Sequence, residues 1–117
     1  MGWFSKKDAD FLLATVVPPG DAVRVERWLG IVNGEAIIGA NIFRDMFSSI
    51  RDVVGGRAGG YERALSGARD AALDDMMAAA KELGADGIVG IDFDYEVLGE
   101  TNGMMMVAVS GTAIKRG

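Results

Sequence analysis

Apolar and polar positions change their period along this chain, and each change marks an element. From Phe11 to Val17 a short apolar run ends at Pro18-Pro19-Gly20, the pattern of a strand stopped by a turn and placed at a sheet edge or an assembly contact. Val23, Val25, Leu29 and Ile31 then fall on odd positions, with Arg24 and Glu26 between them and a lapse at Arg27; this alternation predicts a half-buried strand. Asn33-Gly34 follows. Such a pair suits the positive-φ positions of a tight hairpin, which would set residues 29–32 against 35–38. The competing reading is one long strand bent by a bulge at Gly34.

The period then becomes helical. Asn41 is a good N-cap, and Phe43, Phe47, Ile50 and Val54 follow at spacings of four, three and four, so a first helix is expected over 42–54, stopped by Gly55-Gly56. A second, from Tyr61 to Leu83, carries Leu65, Ala68, Ala72, Met76 and Ala79 on one stripe and Leu73, Met77 and Ala80 on another beside it, with Gly84 to close it. The two stripes make an apolar face wider than one sheet usually covers, which predicts some left over for assembly.

Strict alternation returns from Gly87 to Val97, where Ile91, Phe93, Tyr95 and Val97 share one face and Asp92, Asp94 and Glu96 the other. A loop at 99–103 leads into a last strand, Met104 to Lys115. Strand, crossover helix and hairpin together predict a split βαβ arrangement with the last strand between the other two. Parity requires Phe93, Tyr95 and Val97 to share a face with Met105, Val107 and Val109, and Phe93 is expected opposite Val109. The fold class is α+β.

Composition narrows the chemistry. The 117 residues suit one domain, 11–117, behind an N-terminal extension, 1–10. Hydrophobic residues make up 50% before the 17 glycines are counted, above the usual share, so part of the apolar surface is expected to face another copy of the chain. A net charge of −5 argues against nucleic acid, whose phosphates call for clustered Lys and Arg. There is no Cys and no His, which excludes disulfides, thiolate nucleophiles, Ser-His-Asp triads and HExxH zinc sites. No 18-residue apolar run occurs, and Lys6, Lys7, Asp8 and Asp10 interrupt any signal-like segment, so the expected address is the cytoplasm. Met1-Gly2 lacks the Ser or Thr that myristoylation wants, having Lys6 instead. Trp3 and Phe4 read as a packed or frayed terminus, and membrane contact is not expected.

Taken together, the blocks LGIVNGEAIIGANIFRDMFSSIRDVVGGRAGGYE, ALSGARDAALDDMMAAA, GADGIVGIDFDYE and MMMVAVSGTAIK closely resemble the YbjQ-like family of bacterial and archaeal proteins, from about Leu12 to Lys115. The resemblance implies a dodecin-subunit-like β-α-β-β core with an antiparallel sheet, here with an extra helix and extra short strands for assembly, and rings that are typically pentamers. It also brings the label of a heavy-metal-binding domain of uncharacterised function. One departure shows at the start, where the family often has two adjacent Thr and this chain has only Thr15.

Candidate chemistry is sparse. Asp92, Asp94 and Glu96 place three carboxylates on one strand face, roughly 7 Å apart in succession; they are the metal candidates, suited to Mg²⁺ or Ca²⁺, although a solvated outer face explains them as well. Met104 and Met106 share a face of the last strand and could offer thioethers to Cu(I), but methionine usually fills core. Arg57, between two Gly pairs, and Glu35, beside the Asn-Gly pair, are the ligand-binding candidates. The glycines there are not a P-loop, since no GK[ST] follows. No spacing pairs a nucleophile with a base, so catalytic residues are unassigned, and no cofactor is expected. The reading favoured is a cytoplasmic ring-forming scaffold or small-ligand module whose partner is itself. A metal module with carboxylate or Met groups between subunits comes second. An enzyme using Asp and Glu as acid and base comes third.

Overall fold

A computed structural model describes residues 10–39, 59–98 and 104–117. It contains strands β1 (Leu12–Leu13) and β2 (Val25–Ile38), helix α1 (Gly59–Glu82), and strands β3 (Gly87–Leu98) and β4 (Met104–Arg116). The expected helix over 42–54 and Arg57 lie outside the described residues. The sheet runs in the order β1-β3-β4-β2, so the last strand does lie between the other two long ones. Phe93 does face Val109, with Tyr95 opposite Val107 and Val97 opposite Met105.

In two respects the sheet departs from expectation. It is mixed rather than antiparallel, because Leu12 and Leu13 pair in parallel with Gly87 and Ile88. The ladder stops after two residues, where the seven-residue run from Phe11 to Val17 predicted more. The cause lies in β3: Gly90 takes a φ of 64° at a bulge between Val89 and Asp92, and this breaks the register a longer parallel partner would need. The chain beyond β1 stays tethered by backbone bonds instead, Ile91 N–H to the Ala14 carbonyl at 3.1 Å and Gly90 N–H to the Val16 carbonyl at 3.2 Å.

The second departure concerns Asn33-Gly34, which forms no hairpin. Val25 to Ile38 is one strand, paired with β4 throughout and bulged between Val25 and Arg27 and between Trp28 and Gly30. The bend therefore falls at Gly30, with φ 114°, and not at Gly34. Gly34 serves a different need. A Cβ there would lie 2.0 Å from the Ala72 carbonyl oxygen and 2.7 Å from the Met76 amide nitrogen, so the helix backbone rests directly on the strand.

This close approach explains why the wide helix face is used up within the chain. Ala68, Ala72, Leu73, Met76, Met77 and Ala80 are all buried, and they join Val32, Ile38, Ile88, Ile91, Val107 and Val109 in one cluster. The second stripe is thus core and not assembly surface, while Leu83 at the helix end remains exposed. Helix α1 carries Glu62 in its first turn and Lys81 in its last, complementing its dipole. It ends as expected at Gly84, φ 83°, where Ala85 N–H reaches the Ala80 carbonyl at 3.1 Å and Gly84 N–H the Lys81 carbonyl at 3.0 Å. That pair of bonds is the Schellman closure.

Asp86 fastens the far end of the sheet. Its backbone bonds Leu12 N–H and the Ile114 carbonyl, its carboxylate accepts the Arg116 N–H at 2.9 Å, and it pairs with Lys115 at 3.8 Å and the Arg116 guanidinium at 3.4 Å. Arg116 also donates to the Asp10 carbonyl. Phe11 closes the same end of the core, with the Lys81 ammonium 5.7 Å from its ring centroid.

Candidate functional site

Because α1 packs on one face of the sheet, Ile31, Asn33, Glu35 and Ile37 of β2 and Asp92, Asp94 and Glu96 of β3 stand exposed on the other. Register arranges that face in rows across β2, β4 and β3. Asn33, Ser110 and Asp92 form one row, Glu35, Ala108 and Asp94 the next, and Ile37, Met106 and Glu96 a third. On the other side of the first row, Ile31 lies opposite Thr112. Acids therefore line the β3 side, small and polar residues form the floor on β4, and branched apolar residues bracket two polar ones on β2.

Asp92, Asp94 and Glu96 do share this face, and all three are exposed. Among the described residues no three Asp or Glu groups come together as a set able to hold a metal ion. The reason is geometric: alternate residues on one strand stand roughly 7 Å apart and point the same way, so their oxygens do not converge. Glu35, singled out for its neighbouring turn signal, reaches the same face for another reason, as the cross-sheet counterpart of Asp94. The two carboxylates stand on either side of Ala108, their strands roughly 10 Å apart, twice the strand spacing. Met104 and Met106 lie on β4, Met106 in the row with Glu96.

Sequence reasoning missed three residues. A shallow depression of about 450 Å³ is lined by Asn33, Glu35, Asp94 and Ser110, with Asp75 from the helix. Asp75 Oδ2 accepts the Glu35 backbone N–H at 3.1 Å, which satisfies a donor on the strand that has no sheet neighbour beyond it. Ser110 and Asn33 could have been found from parity alone once β4 was placed in the centre. Asp75 could not, since its role depends on the helix resting on Gly34. The depression sets Glu35 and Asp94 on either side of a small floor, with Asp75 also in its lining, and can receive a cationic group or a hydrated ion.

A family model described as "Putative heavy-metal-binding" matches residues 13–116. The chain is also similar to a protein of unknown function from Pediococcus pentosaceus ATCC 25745, placed in the DUF74 family and solved by crystallography. The TM-score is 0.63 and the identity 16%, over 92% of this chain and 98% of that one. At that identity the likeness concerns the fold alone. No helix among the described residues is long and apolar enough to cross a membrane.

Proposed function

The chain belongs to the YbjQ-like family, matched over residues 13–116, and from that premise we propose that it acts as a self-assembling scaffold, a pentameric ring whose ligand-receiving face lies between subunits. One observation carries this reading: on the outer strand β2, Trp28, Ile31 and Ile37 are 58%, 77% and 60% exposed, although a strand of that alternation normally hides its branched residues. Burying a side chain such as Ile31 against a neighbour contributes roughly 1.5–3 kcal/mol.

Charge sets the mode of contact. An isologous pairing would bring Glu35, Asp92, Asp94 and Glu96 of two copies face to face, and like charges in contact are unfavourable. A heterologous contact lets the β2 side of one copy meet a different surface of the next, and repetition of such a contact closes a ring. Light scattering at micromolar concentration should therefore return an oligomer. Ile31→Lys and Ile37→Lys should shift it toward monomer while circular dichroism stays unchanged. A wild-type monomer refutes the scaffold reading, and an intact ring in both variants moves the contact off β2.

The pairing of Glu35 with Asp94 across Ala108 favours a second role for the same face, retention of a hydrated hard cation. Calorimetry of chelator-treated protein with Mg²⁺ and Ca²⁺ should give millimolar binding that disappears in Asp94→Asn. Heat unchanged in Asp94→Asn, or no heat at all, removes this role.

A further inference from the structure

We infer that this chain has no site for a soft heavy metal, either within one copy or between copies, so that the property named in its family's description is not carried by this member. The argument rests on the donor set. Zn²⁺, Cd²⁺, Cu⁺ and Hg²⁺ are held in proteins chiefly by thiolate and imidazole, and the whole chain has neither Cys nor His. Assembly does not repair the deficit. A ring of identical chains multiplies the donors already present and adds no new type.

The remaining soft donor is the methionine thioether, a neutral ligand that selects Cu⁺. Of the seven methionines, Met76 and Met77 are 0% and 3% exposed within the core, and Met105 packs against that core from the helix side. Met104 and Met106 stand on the open face, roughly 7 Å apart along β4. Met106 has Ile37 on one side and Glu96 on the other, so no third sulfur lies beside it in its row. Met1 and Met46 fall outside the described residues. Oxygen donors do not make up the difference: no three acids of the described residues converge closely enough to hold a metal ion, and carboxylate with water favours Mg²⁺, Ca²⁺ or Mn²⁺. The fold of the family is thus retained on a sequence whose ligand chemistry is hard.

The test uses the full chain as purified. Elemental analysis after dialysis against chelator-free buffer should find no stoichiometric Zn, Cd, Cu or Hg. Competition against a chromophoric chelator, with Zn²⁺ and Cd²⁺ in air and Cu⁺ under anaerobic reduction, should give dissociation constants weaker than about 10 μM. Wild type and the Met104→Leu/Met106→Leu double variant should be indistinguishable. One retained ion per chain, per dimer or per ring, or a dissociation constant tighter than about 10 μM for any of these metals, overturns the inference. Loss of a tight Cu⁺ signal in the double variant would locate the error in the thioethers, and its persistence there would locate it in donors outside β4. Each stoichiometry is counted per chain, so the result does not depend on whether the protein is a ring.

Discussion

Gly34→Ala is expected to lower stability by at least about 3 kcal/mol, toward the severe end for single substitutions. The new methyl carbon would stand 2.0 Å from the Ala72 carbonyl oxygen, 2.7 Å from the Met76 nitrogen and 3.0 Å from the Met76 Cβ. The first two are helix backbone and cannot rotate aside, so the helix must lift from β2 and loosen the Ala72 and Met76 contacts on which the core depends. Thermal denaturation at fixed protein concentration should show a fall of about 10 °C or more. Gly67→Ala provides the control: it lies in the same helix with nothing within 4 Å of its added Cβ, and should stabilise by up to about 1 kcal/mol through helix propensity. A loss below about 1 kcal/mol in Gly34→Ala would mean the helix does not rest on this strand as described.

Met76→Ala should be nearly as damaging, costing about 2–5 kcal/mol. Its side chain is 0% exposed at the centre of the cluster joining α1 to β2 and β4, and truncation leaves a cavity that the rigid sheet fills only in part. Met76→Leu, close in volume, should cost less than about 1.5 kcal/mol. Met104→Ala, at a residue 38% exposed, should stay within about 1 kcal/mol. Chemical denaturation of the three variants separates packing from mere loss of a methionine. Combining Met76→Ala with Gly34→Ala should give no rescue, since the clash at Gly34 is with backbone that truncation leaves in place. Recovery of stability in the double variant would show that the Met76 side chain was the obstacle.

Much of the fold was legible because two periods are written plainly into the chain. Spacings of three and four from Leu65 to Ala80 specify a helix, and strict alternation from Ile91 to Val97 specifies a strand whose parity against Met105 to Val109 leaves few registers open. Gly84 stops the helix because the closing position needs a positive φ, a local requirement that sequence can express. The same alternation assigns the acids on β3 their face without reference to any partner strand.

What sequence could not express was contact between distant segments. A glycine looks the same whether it turns the chain or makes room for a helix. Gly34 followed Asn33 and read as a turn, yet its purpose is set by Ala72 and Met76, 38 and 42 positions further on. The bulges near Gly30 on β2 and Gly90 on β3, the second of which stops β1 after two residues, depend on how neighbouring strands must stagger. Glu35 and Asp94 share a row only because β4 runs between β2 and β3, and Asp75 reaches Glu35 only because the helix lies down on Gly34. Local propensity acts over a few residues and is therefore readable along the chain, whereas burial and close approach are properties of pairs that only the folded chain brings together.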